Sequence, residues 1–139
     1  MEGAVETSGA LAVDGEALSD CIAACLTCAE ACMACADACL EDEVEQLRRC
    51  IRLDLDCAEV CDATAHILSR QLQAEPEVRR RQLELLSYVS GLCAEECARH
   101  EATNDACRAC NEACLRCQES CGRLLRQMGA EAAAAPTAH

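Results

Sequence analysis

Sixteen cysteines recur along this chain at steps of three and four residues, and no other feature restricts its fold so tightly. The first set is Cys21, Cys25, Cys28, Cys32, Cys35 and Cys39, and the last is Cys107, Cys110, Cys114, Cys117 and Cys121. Between them lie Cys50, Cys57 and Cys61, then Cys93 and Cys97. At about 100° per residue, such steps confine each set to one helical stripe roughly 80° wide or narrower. These are the a and d positions of a heptad, where a bundle normally buries Leu, Ile and Val. No cysteine falls out of phase, so four helices are expected to face one another across a cysteine-lined seam.

The punctuation between the sets agrees. A first helix is expected from Gly15 to Leu40. Glu41-Asp42-Glu43 suits the start of a second, since negative charge complements the helix dipole there, and this helix reads to about Gln73. Pro76 fits the first turn of a third, where its missing N–H costs nothing, and that helix reads to about Glu101. Thr103-Asn104-Asp105 supplies cap residues for a fourth, ending near Gly129. Similar lengths and short connections predict an all-α fold, an antiparallel up-down-up-down four-helix bundle over residues 15–129. Residues 1–14 are expected to be a flexible segment and 130–139 a disordered tail.

The chain has no Trp, no Phe and one Tyr, so Leu, Ala and Cys must fill the interior. Cys is far smaller than Leu, and a close-packed core avoids voids. Something else should occupy the centre. Disulfides are poor candidates, because cysteines three or four apart on one rigid helix meet the required torsions badly. The first residues lack the basic start and apolar stretch of a signal peptide. A cytoplasmic location is expected, where thiols stay reduced. No run of eighteen apolar residues suggests a membrane span. With a net charge of −13 and no basic patch, nucleic acid is not an expected partner.

Soft thiolates select Cu(I), zinc or iron–sulfur clusters. Cluster-binding cysteines usually sit on loops in tighter runs, unlike these helical repeats. Zinc asks for four ligands in a closed tetrahedron. A cysteine stripe instead offers pairs at i and i+4 whose sulfurs reach across one turn to a two-coordinate ion. The pairs are Cys21/Cys25, Cys28/Cys32, Cys35/Cys39, Cys57/Cys61, Cys93/Cys97, Cys110/Cys114 and Cys117/Cys121. Cys50 and Cys107 remain for cross-helix or mouth sites. Buried thiolates also need neutralising, and one Cu(I) per sulfur does this. The expected load runs from roughly 8 ions without bridging to roughly 16 with every sulfur bridging, and a value near the upper end is expected.

Helices 2 and 3 carry their cysteines toward the 1–2 and 3–4 connections. Leu68, Leu86, Val89, Leu125 and Met128 are expected to plug the opposite end, so copper should enter at the cysteine-rich end. There His100 follows Cys97 by three residues and is a candidate for first capture. Asp54, between Cys50 and Cys57, is either a ligand facing the cavity or a flank residue paired outside. Asn104 continues the phase of His100, but helix capping is its expected role. His66 points away, His139 is in the tail, and Met33 is expected to pack between helices. Met1 and Met128 form no methionine-rich site.

The stretches CIAACLTCAEACMACADAC and CAEECARH…CRACNEACLRCQESC closely resemble the copper storage proteins, in particular the cytosolic type without an export signal. The resemblance covers roughly Cys21 to Met128. It implies a bundle filled with Cu(I), a homotetramer, and copper passing through a mouth that carries His. It also implies that the sixteen cysteines are ligands, with His100 at the mouth. Related proteins often have a second His just before the fourth helix, where this chain has Thr103-Asn104-Asp105; that departure draws attention to Asp54. The expected function is storage and buffering of Cu(I), with no catalysis, and delivery by a copper chaperone. A zinc buffer and a thiol redox sensor are the alternatives.

Overall fold

The computed structural model describes residues 15–134, which form four helices joined by turns. They are α1 (Gly15–Leu40), α2 (Arg48–Ser69), α3 (Pro76–Ala98) and α4 (Asp105–Ala134). α4 runs on past Gly129, so residues 130–134 of the expected tail are helical, while 1–14 and 135–139, with Met1 and His139, lie outside the described residues.

Helix ends show which local signals prevailed. Asn104 caps α4, its Oδ1 accepting the Cys107 N–H at 3.1 Å, and Pro76 occupies the first turn of α3. The acidic cluster does not open α2. Residues 41–47 are turns, and α2 starts only after Leu47, which is drawn into the core. Nor does α2 reach Gln73, because Arg70 is extended and Gln73 is left-handed with φ 53°, a conformation a helix does not contain. The Arg79 guanidinium closes that terminus instead, donating to the carbonyls of Leu68 at 3.2 Å and Arg70 at 3.0 Å. α3 stops three residues before Glu101, in a turn where the Arg99 and His100 N–H groups bond the Glu96 and Cys97 carbonyls.

Each helix packs against its two neighbours, and the ring closes between α1 and α4. Cys35 near the end of α1 lies 3.9 Å from Cys50 at the start of α2 and 3.9 Å from Cys97 at the end of α3. It also lies 3.6 Å from Cys107 at the start of α4. Alternating helix directions bring those four ends together, as an up-down-up-down bundle requires. α3 and α4 approach closely at Gly91, where an added Cβ would meet the Gln118 amide at 2.6 Å. That amide bonds the Ser87 carbonyl at 3.0 Å, tying the two helices.

The buried seam extends the cysteine spacing without a break. Beginning with Leu47 just before α2, it reads Cys50, Asp54, Cys57, Cys61, Thr64, Leu68 along that helix; on α3 it reads Leu83, Leu86, Ser90, Cys93, Cys97. Leu68, Leu83, Leu86 and Leu124 fill the end remote from the thiol-rich turns, at 1% exposure or less. Val89, Leu125 and Met128 are only partly buried against this plug; Leu124, three residues after Cys121, is the buried α4 residue rather than Leu125.

Two expectations about α1 need correction. Met33 does not pack between helices: it is 51% exposed and shares an outer face with Leu26 and Leu40 at heptad spacing. α1 is also long and apolar enough to cross a membrane, with a mean hydropathy of 1.5 over its most apolar window. Ala and Cys raise that value while its acidic residues are too sparse to lower it. In the bundle its cysteine face is wholly buried.

Candidate metal centre

All sixteen cysteines are free thiols with 0% exposure. Their sulfurs form a column along the bundle axis. Within one helix, Cys28–Cys32 and Cys35–Cys39 are 4.0 Å apart and Cys110–Cys114 3.9 Å. Contacts between helices are as short or shorter: Cys28–Cys114 at 3.6 Å, Cys110–Cys32 at 3.7 Å and Cys50–Cys97 at 3.7 Å. The i, i+4 pair is therefore not an isolated unit. Each sulfur faces partners on neighbouring helices as well, because opposed a and d positions meet in layers.

The donors gather into sets that overlap. Cys28, Cys32, Cys57 and Cys114 bring their sulfurs within 4.8 Å of one another, and so do Cys32, Cys93, Cys110 and Cys114. Cys35, Cys39, Cys50 and Cys107 form a further set at the turn-rich end. Cys32 and Cys114 thus belong to two sets at once. Toward the closed end Cys21, Cys25, Cys61, Cys117 and Cys121 continue the buried seam.

Asp54 lies inside the column. It is fully buried, four residues after Cys50 and three before Cys57, which is the regular seam step. Its Oδ1 accepts from Cys93 at 3.2 Å, Cys110 at 3.3 Å and Cys97 at 3.8 Å, and its Oδ2 from Cys50 at 3.9 Å. Two four-donor sets include it, with Cys35, Cys50 and Cys97, and with Cys93, Cys97 and Cys110. The alternative of a flank residue paired outside the bundle is thereby overturned. Burial, then the negative charge of Cys110 and Cys93, pushes its carboxyl far above the ordinary range. The neutral acid is the form that suits an apolar site.

Thiol acidity varies along the column. Burial, then the charge of Cys35, pushes Cys39 up to about 11. Hydrogen bonds from Cys121 and Cys25 bring Cys117 down to about 6. With every sulfur buried, desolvation favours the protonated thiols along the column.

A family model described as copper storage protein matches residues 14–126. The chain belongs to the copper storage protein family. Solved members superpose well on it. The copper storage protein Ccsp from Streptomyces lividans loaded with 10 copper equivalents is 48% identical over 83% of this chain and 88% of its own, with a TM-score of 0.82. A cytosolic copper storage protein from the same organism, carrying five coppers, is 48% identical over 80% of this chain and 93% of its own, at a TM-score of 0.79. Apo copper storage protein 3 from Bacillus subtilis is 32% identical over 77% and 97%, at 0.66. No curated protein matches.

The other candidate side chains take separate places. His100 sits in the turn after α3 with its Nε2 3.0 Å from Glu96 Oε2, and its side chain is 22% exposed. Asn104 serves as a cap, and His66 is exposed. Sequence reasoning missed two residues there. Leu47 is 5% exposed, one turn outward from Cys50 on the same seam, and covers the thiol-rich end; the unbroken step of three reveals it. Glu96 lies beside the seam, one residue before Cys97, where spacing alone gives no signal.

Proposed function

We propose that this chain stores Cu(I) in the cytoplasm, holding many ions on the sixteen cysteine thiolates inside the bundle. The observation that carries the reading is the overlap of the thiol sets. A mononuclear structural zinc site closes a tetrahedron on four ligands of its own. Here Cys32, Cys114, Cys35 and Cys50 each serve two sets, an arrangement suited to bridging between successive monovalent ions. Cu(I) at one per thiolate leaves the core neutral, and each ion displaces one thiol proton. The Asp54 carboxylate oxygen supplies a further donor among Cys50, Cys93, Cys97 and Cys110.

His100 makes first contact with copper at the turn-rich end. A redox role fits poorly, since it needs an accessible low-pKa thiol and every cysteine is fully buried. Storage requires no catalysis. The exposed stripe of Leu26, Met33 and Leu40 supports burial of α1 against further copies, in line with the homotetramer implied by resemblance. A copper chaperone is the fitting donor, since free Cu(I) is scarce.

The test is titration of reduced apo-protein with Cu(I) against a competing chelator, with a thiol count beforehand. Sixteen free thiols and roughly one copper per cysteine support the store. Retention of about four zinc ions in preference to copper would sink it.

A further inference from the structure

We propose that Glu96 is a positioning residue that fixes the imidazole of His100 with Nε2 protonated, so that Nδ1 is the nitrogen offered to arriving Cu(I). This rests on the reading of His100 as the capture residue. Glu96 is only 6% exposed in its side chain and sits one residue before Cys97, outside the three-and-four step of the seam.

Both its oxygens are engaged. Oε1 accepts from Arg49 Nε on α2 at 3.1 Å and has Arg99 Nη1 at 3.5 Å. Oε2 faces His100 Nε2 at 3.0 Å. A carboxylate beside two guanidinium groups acts as acceptor at each oxygen, so the bond to His100 takes the form Nε2–H to Oε2.

A neutral imidazole carries its proton on one nitrogen and its lone pair on the other. With Nε2 committed to Glu96, the lone pair is on Nδ1. Metal-bound histidines commonly use a carboxylate in this way, which sets the tautomer and the ring orientation. Arg49 extends the arrangement to α2. The imidazole is thereby registered against the helix that carries Cys50 and Asp54, rather than against α3 alone.

The experiment compares wild type, Glu96→Gln, Glu96→Ala, His100→Ala and the Glu96→Ala/His100→Ala double variant. Long-range proton–nitrogen correlation spectra of reduced apo-protein read the tautomer of His100. Stopped-flow transfer from a Cu(I)–chelator complex reads the uptake rate, and the end-point reads capacity. Wild type should show the Nε2–H tautomer, and Glu96→Ala a mixture. Glu96→Ala should slow uptake about tenfold at unchanged capacity, and should add no further slowing in the His100→Ala background. Glu96→Gln, which keeps an acceptor oxygen and the side-chain shape, should retain most of the rate. An Nδ1–H tautomer in wild type, or equal slowing by Glu96→Ala with and without His100, would overturn the proposal. Failure of the storage reading is separate, since it shows as low copper capacity in wild type.

Discussion

The Asp54 carboxyl oxygen lies 3.2 Å from the Cys93 sulfur, across the α2–α3 contact and with no exposure to solvent. Burial raises the folded-state pKa of this acid far above its unfolded value of about 3.9. Below about pH 4 both states hold the proton and the contribution to stability is full. Above it only the folded state does, so stability falls as pH rises. Relative to Asp54→Asn, reduced apo wild type should lose up to about 1.4 kcal/mol per pH unit between about pH 4 and 8. Urea unfolding of both proteins across that range measures the difference; a pH-independent difference would contradict a neutral buried Asp54.

At the other end of the bundle Leu68 is 1% exposed among Leu83, Leu86 and Leu124. Leu68→Ala should cost about 2–5 kcal/mol of apo stability through lost burial and a residual cavity. Copper capacity should be unchanged, because no sulfur belongs to the plug. Denaturant unfolding paired with an end-point copper count separates the two effects, and a fall in capacity would show that the plug shapes the thiol column.

Leu47 makes the opposite kind of contribution. It covers the thiol-rich end, where even Cys39 and Cys107 have no exposure, so copper reaches them only after local opening. Leu47→Ala should accelerate Cu(I) uptake several-fold by lowering the cost of that opening, again with unchanged capacity. Unaltered or slower uptake in stopped-flow transfer would place the route elsewhere.

The bundle was legible because heptad spacing speaks directly of which face is buried. All sixteen cysteines declared the same seam, and Asn104 and Pro76 marked helix starts through local hydrogen bonding. The errors arose where tertiary packing outranked local preference. Glu41-Asp42-Glu43 favours a helix N-terminus, yet burial of Leu47 delays α2 to Arg48. Asp54 reads as ambiguous by residue type, since carboxylates rarely lie fully buried, although its place in the three-and-four alternation was already that of a seam residue. Glu96 was invisible because its role depends on Arg49, which is 47 residues distant in sequence.

Proton release gives an independent check on the chemistry. With the buried apo thiols and Asp54 protonated, loading should liberate close to one proton per copper bound in weakly buffered solution. Much smaller release would mean that copper sits on groups already ionised, such as surface carboxylates.

The most direct measurement is anomalous diffraction at the copper edge from crystals of the fully loaded protein. Copper sites should run in file along the bundle axis, from the Cys39–Cys107 end to the Cys21–Cys121 end, with sulfurs shared between neighbouring ions. Copper bound outside the bundle, with the core sulfurs unoccupied, would contradict it.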